Sequence, residues 1–303
     1  MEMDKNKKHY KSYPKKLKLS PKDDRDYKLN DIDLDTSPKK VVKFVKCKPL
    51  PRKYKSLIIK NSYVFDQEET GMCMACSLAQ IWHIMTRLLN HTSIKFSPAK
   101  VYSDRELKDG DDGYGMTARE AISNTINHGI CSFTNFRTIA EYPKVRKKYL
   151  KFKKQLDNIS KYFRADTYYS CNGSTQKETI NNIKKAVKAT GCCLVVVPCY
   201  ENCGVDWYYY DYETKKTPIA YISDYEEDAT LRGELEGYHA MVCYGWDDNE
   251  QALWLVNSYS EDWGTNGKAL LHYDFPIEES WAIVTHKHKL TLKLKSLLKK
   301  KYV

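Results

Sequence analysis

The apolar residues in the first half of the chain recur with a helical period. Over residues 73–88 they fall at mixed three- and four-residue steps around most of the circumference, which predicts a largely buried helix of about four turns. Ser97 followed by Pro98 is typical of a helix N-cap with proline in the first turn. Two more amphipathic patterns predict helices over residues 117–129 and 179–189.

The pattern changes to a period of two from His239 onward, and such alternation is typical of half-buried strands. An apolar run over residues 192–197 predicts a buried strand ahead of this region. The alternating runs predict strands over residues 240–245, 252–256, 269–273 and 281–285. Helices first and an antiparallel sheet afterwards indicate the α+β class.

Both ends of the chain are basic, whereas its body is mildly acidic. Residues 1–60 hold 19 Lys and Arg against 8 Asp and Glu, and residues 287–303 hold 7 lysines and no acid. We divide the chain into a poorly packed N-terminal extension (1–48), an organised domain (49–287) and a basic tail (288–303). Such arms can bind nucleic acid, an anionic membrane or an acidic partner, although a merely solvated flank is the simpler explanation.

The sequence favours an intracellular protein with reduced thiols. It has no apolar run long enough to cross a membrane and no apolar segment near its start of the kind a secretory signal requires. We therefore expect its ten cysteines to be free thiols. A zinc site made of two cysteine pairs is an alternative, with Cys73 and Cys76 as one pair and Cys199 and Cys203 as the other.

Cys73 stands where the long helix begins, and its surroundings suit a nucleophilic thiol. A cysteine attacks only as the thiolate, and the free amides and dipole of a helix N-terminus favour the anion by roughly 0.3–1 kcal/mol. Gly71 permits a tight turn and close approach of a substrate. Gln67 can donate its side-chain N–H to the oxygen that becomes negative during attack, together with the backbone N–H of Cys73.

His239 and Asn257 are candidates for a general base and for the residue that orients it. The histidine opens a buried strand, which holds its ring rigidly, and the asparagine follows the next strand. A hairpin between them places the Asn oxygen beside one imidazole N–H and leaves the other ring nitrogen for Cys73. This set predicts acyl transfer through a covalent intermediate, for which no metal or organic cofactor is needed.

Three segments resemble those of the papain-like family of cysteine peptidases, in the family's order. Residues 67–77 resemble its nucleophile segment, residues 239–240 its histidine segment and residues 257–267 its asparagine segment. Each motif is weak alone, and only their combination is specific. The resemblance covers roughly residues 50–287, and it implies a two-lobed α+β fold in which a helical lobe and a sheet lobe enclose a cleft.

The resemblance implies that the chain hydrolyses peptide or isopeptide bonds of a polypeptide substrate, with Cys73, His239, Asn257 and Gln67 in the roles given above. It also implies that Trp263 packs over the histidine–asparagine pair. The residues implied to contact the substrate are Gly71, Gly113, Gly115, Tyr238 and Trp263. The N-terminal extension is then either an inhibitory or removable segment, of the kind family members often carry, or a basic arm.

Several positions depart from the family pattern. Thr70 replaces the cysteine that secreted members carry three residues before the nucleophile. Met74 stands directly after the nucleophile, where an aromatic residue is usual. Tyr259 stands two residues after the asparagine, where the usual aromatic residue is Trp. The 166-residue separation of Cys73 and His239 is longer than usual, which we attribute to the lysine-rich stretch at residues 141–175. We expect residues 141–165 of this stretch to be exposed. These departures resemble the bacterial and viral branches, so packaging in a virus particle is a further expectation.

Two other functional classes are compatible with parts of the sequence. A non-catalytic binding or structural protein could use the same fold and dock through its basic arms, although the retention of all four catalytic residue types argues against it. A thiol acyl enzyme on a related fold, such as a transglutaminase or a cell-wall amidase, is the second alternative. The segment from Asn257 to Trp263 favours the papain-like family over both enzymes.

Overall fold

The structure is a computed structural model, and its described residues cover most of the expected domain. The described residues are 17–23, 26–29, 50–56, 63–90, 92–105, 115–137, 142–201, 219–220, 233–285 and 292–301. Gly113 and Cys203 lie outside them, as do most of the N-terminal extension and part of the basic tail.

The described helices are α1 (Cys73–Asn90), α2 (Pro98–Ser103), α3 (Ala118–Asn127), α4 (Tyr142–Ser160), α5 (Gln176–Thr190) and α6 (Leu292–Leu297). The long helix beginning at Cys73 is confirmed, and its first fourteen residues are all buried. The cap predicted at Ser97 is present, and a second cap occurs at Thr117. The Ser97 side chain accepts from the Lys100 amide at the start of α2, and the Thr117 side chain caps α3 in the same way.

The lysine-rich stretch was expected to be exposed, and this expectation is wrong for one of its faces. It forms α4, whose lysines point outward while Val145, Tyr149, Leu156 and Ile159 are buried in a cluster with Phe136. The spacing of these four apolar residues is helical, so the helix contributes a packed layer to the helical lobe.

The strands form one sheet of mostly antiparallel pairs, as predicted. They are β1 (Lys53–Lys55), β2 (Thr167–Ser170), β3 (Cys193–Tyr200), β4 (Ile219–Ala220), β5 (Leu235–Asp247), β6 (Ala252–Val256), β7 (Lys268–His272) and β8 (Glu279–Val284). The strand order is β2-β8-β3-β5-β6-β7-β4, with β1 added to β5. Only β4 is parallel to its neighbour among the described strands.

Helix α1 packs on β5, and this contact joins the helical lobe to the sheet. Residues from both elements share one buried apolar cluster, which includes Met74 and Leu78 of the helix and Ala240 and Val242 of the strand. The N-terminus of α1 is thereby held against the middle of β5, where His239 lies. The α+β class and the two-layer arrangement expected from the sequence are both present.

The N-terminal extension was expected to be poorly packed, and its described residues contradict this. Leu17 is buried and its backbone pairs with Tyr238 of β5, and Leu29 is buried on the other side of the sheet. The basic tail is also attached to the body, because Asn135 donates to the carbonyls of Leu297 and Lys300. Within the described residues, no helix is long and apolar enough to span a membrane.

Candidate active site

Cys73 is the first residue of α1, and its thiol lies against the strand that carries His239. The residue is buried, and burial raises the pKa of the thiol to about 11, although a hydrogen bond from the backbone N–H of Ala240 acts in the opposite direction. Ala240 directly follows His239 on β5, and Cys73 and Ala240 belong to the same buried apolar cluster, so the predicted nucleophile and base lie on elements that pack together. At the N-terminus of this helix the cost of burying the anion therefore outweighs the stabilisation by free amides.

His239 and Asn257 are in contact, as the hairpin predicted. The imidazole Nε2 lies 2.6 Å from the Asn257 side-chain oxygen Oδ1. The same oxygen accepts from the backbone N–H of Ser258 at 2.7 Å, which fixes the orientation of the amide group. An amide oxygen only accepts, so Nε2 carries the hydrogen and donates it, and the other ring nitrogen, Nδ1, remains for a second partner.

The backbone around Asn257 is fixed by a turn that requires glycine. Gly267 has a φ of +73°, and a Cβ atom there would lie 2.4 Å from a methyl carbon of Val64. Its carbonyl accepts from the Asn257 amide at 2.9 Å. The turn therefore fixes the backbone of Asn257, and with it the position from which its side chain contacts the His239 ring.

Tyr259 covers the histidine ring. The tyrosine ring lies 4.6 Å from the imidazole ring between centroids, at an interplanar angle of 34°, and its hydroxyl is 3.3 Å from Nδ1. Trp263 contacts the outer side of this ring edge-on, with centroids 6.2 Å apart. Trp263 thus supports the ring that covers the histidine, and its expected packing over the histidine–asparagine pair stays a prediction.

Gln67 is buried and its side chain is held at both ends. Its amide nitrogen Nε2 donates to the carbonyl of Thr70 at 2.9 Å, and its oxygen accepts from the Ser258 hydroxyl at 2.6 Å. One hydrogen of Nε2 is thus used, which leaves the second for another acceptor. Thr70, at the position of the absent cysteine, also donates its hydroxyl to the Gln67 carbonyl.

Ser258 is a functional residue that the sequence interpretation missed. Its amide orients Asn257, its carbonyl accepts from the Gln67 amide at 2.9 Å and its hydroxyl holds the Gln67 side chain. It therefore connects the predicted oxyanion donor to the residue that orients the base. The available signal was its position directly after Asn257, although a serine there has no distinctive spacing of its own.

The remaining predicted residues lie at the edges of this arrangement. Gly71 is buried just before α1, Gly115 is half-buried shortly before α3, and Tyr238 precedes His239 on β5. Cys76 lies one turn along α1 in the core, as expected. No cluster of three or more metal-binding side chains occurs among the described residues, and the proposed zinc ligand Cys203 is not one of them.

A stretch of the N-terminal extension crosses from one wall of the site to the other. We call the described residues 17–23 and 26–29 of this stretch the N-terminal strap. Its Ser20 binds the carboxylate of Glu279 on the sheet, with a hydroxyl-to-carboxylate distance of 2.9 Å. The same hydroxyl accepts from the Arg119 amide at the start of α3 at 3.1 Å, and the Arg119 side chain pairs with Asp26. The strap is thus bonded to the sheet and to α3, and its Leu17 pairs with Tyr238, which directly precedes His239.

The comparisons with known proteins agree on the fold. No protein-family profile matches the chain. Two curated relatives, cathepsin B-like cysteine proteinases 1 and 2 of Haemonchus contortus, are each 29% identical over 111 residues. That alignment covers 36% of this chain and 28% of each relative, so the chain spans little more than a quarter of their length.

Solved structures are similar over most of the chain. Xylellain, a cysteine protease from Xylella fastidiosa, has a TM-score of 0.65 at 18% identity. The match covers 92% of this chain and 98% of the xylellain chain. The digestive procathepsin L 3 of Tenebrio molitor has a TM-score of 0.57 at 16% identity, covering 79% of this chain and 72% of its own. The fold is therefore that of the papain-like cysteine proteases.

The raised pKa of Cys73 predicts the pH dependence of its alkylation. Below its pKa the thiolate fraction rises tenfold per pH unit, so the rate should still be increasing between pH 9 and pH 10. The measurement is the iodoacetamide rate at Cys73 in the Cys76→Ala protein, followed by peptide mass spectrometry. A rate that levels off below pH 8 would contradict the buried, uncharged thiol.

Proposed function

We propose that this chain is a cysteine-type peptidase that hydrolyses peptide bonds through an acyl-enzyme on Cys73. The observation that carries the proposal is the His239 ring that Asn257 holds at 2.6 Å, on the strand against which the helix that begins at Cys73 packs. A thiol, an imidazole and an orienting amide in this order are the parts that thiol-based acyl transfer requires.

The proposed reaction assigns one role to each residue. The thiol proton passes to Nδ1 of His239, and the sulfur of Cys73 attacks the carbonyl carbon of the substrate. The developing oxyanion accepts from the second hydrogen of Gln67 Nε2 and from the Cys73 amide. His239 then gives its proton to the leaving amine, takes one from a water molecule, and the hydroxide releases the acyl group as a carboxylic acid.

The comparisons supply the reaction class for this proposal. The similar structures are described as cysteine proteases, and one, the Carica candamarcensis protease, was solved in complex with E-64. A polypeptide is accordingly the proposed substrate. Cleavage of isopeptide bonds, an intracellular location and binding of nucleic acid or anionic membrane through the basic ends stay predictions.

We also propose that the N-terminal strap inhibits the enzyme until it is displaced. Leu17 lies in the same apolar cluster as Cys73 and pairs with Tyr238, so a substrate backbone on this part of β5 would have to replace it. Two of the similar structures, from Tenebrio molitor and Trypanosoma congolense, are proforms, which is consistent with a covering segment in this position.

Replacing the nucleophile should abolish both activity and labelling. Cys73→Ala removes the atom that forms the acyl-enzyme, so peptide hydrolysis should fall by at least about 10³-fold, and an epoxide thiol probe should no longer attach. Hydrolysis is measured on a peptide library and labelling by intact-protein mass spectrometry. Cys76→Ala, one helical turn away, is the matched control and should keep both.

Two results separate the proposal from its alternatives. Undiminished hydrolysis by purified Cys73→Ala protein would refute the assignment of the nucleophile. Labelling of the wild-type protein without cleavage of any peptide would favour a non-catalytic or a different acyl-transfer role for the same site.

Weakening the strap should increase the activity of the full-length chain. Leu17→Asp places a charge in a buried apolar position, which should displace the strap and raise kcat/KM by about tenfold, a change of about 1.4 kcal/mol. The exposed Lys22→Ala is the matched control on the same segment. If limited proteolysis shows that the strap is released and kcat/KM remains at the wild-type value, the strap is not inhibitory.

A further inference from the structure

The hydroxyl of Tyr259 occupies the position from which the base must accept its proton. It lies 3.3 Å from Nδ1 of His239, the ring nitrogen that is not bound to Asn257. The tyrosine is buried, and its place is fixed by its backbone, which pairs with Asp66 just before Gln67. Trp263 packs edge-on against the ring. The hydroxyl is therefore held at this nitrogen by contacts on two sides.

The direction of this hydrogen bond follows from the partner on the opposite nitrogen. The Asn257 atom beside Nε2 also accepts from the Ser258 amide, which identifies it as the oxygen Oδ1. Nε2 must therefore carry a hydrogen, which it donates to this oxygen. In a neutral imidazole with hydrogen on Nε2, Nδ1 has only a lone pair. The Tyr259 hydroxyl then donates to Nδ1. A hydrogen bond of this direction stabilises the neutral ring over the imidazolium.

We propose that Tyr259 is a positioning residue that keeps His239 neutral and Cys73 protonated until the hydrogen bond from its hydroxyl to Nδ1 is broken. The proposal rests on the proposed function for the roles of the histidine and the cysteine. In the activated state the thiol proton moves from sulfur to Nδ1, which produces a thiolate and an imidazolium. Tyr259 keeps its own proton and turns its hydroxyl away from Nδ1.

This arrangement adds to burial, which raises the pKa of the Cys73 thiol to about 11, in keeping the sulfur protonated. Cys73 receives hydrogen bonds from backbone amides, but its proton has no free acceptor on the histidine while Tyr259 occupies Nδ1. The chain differs here from the tryptophan expected at this position, because an indole carries no hydroxyl. Tyr259 thus combines a covering ring with a competitor for the catalytic nitrogen.

The test compares two substitutions that remove the hydroxyl and keep an aromatic ring, Tyr259→Phe and Tyr259→Trp. The rate of iodoacetamide attachment to Cys73 is measured at pH 7.5 by peptide mass spectrometry in the full-length chain. Without the competing donor, both variants should react about fivefold faster than the wild type, which corresponds to the loss of one ordinary hydrogen bond. Tyr273→Phe, which loses a hydroxyl bonded to Asp248, is the matched control and should react at the wild-type rate.

A second readout distinguishes this role from simple support of the fold. If a peptide substrate is cleaved, Tyr259→Phe should raise kcat and leave KM unchanged, which damage to the cleft would not do. Alkylation needs no turnover, so a chain without peptidase activity still tests the inference, and failure of the proposed function is seen separately. An alkylation rate in folded Tyr259→Phe and Tyr259→Trp proteins that equals or falls below the wild-type rate overturns it.

Discussion

The packing of the long helix on the central strand is the constraint on which the site depends. Helix α1 and strand β5 share one apolar cluster, and this contact brings the Cys73 sulfur to the amide of Ala240. Two effects then compete at the sulfur. The helix N-terminus favours the thiolate by roughly 0.3–1 kcal/mol, whereas complete burial disfavours it and raises the pKa to about 11. Burial is the larger effect, so the pKa of the thiol is raised in this conformation.

Three consecutive residues after β6 contact the other side chains of the candidate site. Asn257 orients the base, Ser258 holds the side chain of Gln67, and Tyr259 covers the histidine ring. Consecutive residues of one chain segment therefore control the base, the oxyanion donor and the solvent access of the site. A shift of this segment would change all three together.

The sequence predicted the parts of the structure that depend on local spacing. The buried helix after Gly71, the capping of α2 by Ser97 and the β6 strand all follow from the period of apolar residues and from side-chain chemistry, and the hairpin brought His239 to Asn257. It did not predict features set by tertiary contacts. The strap holds few apolar residues, but Leu17 gains its burial from a surface that only the folded sheet provides. The place of Tyr259 depends likewise on a loop conformation, and not on any periodicity.

The claim that the Cys73 sulfur forms the covalent intermediate is tested most directly by trapping that intermediate. The protein is mixed with an activated peptide ester, quenched in acid within the first turnover, and digested for mass spectrometry. The account predicts the acyl group of the substrate on residue 73 and on no other cysteine. Consumption of the ester with the acyl group on a different residue, or with none on Cys73 at any time of quenching, would contradict it.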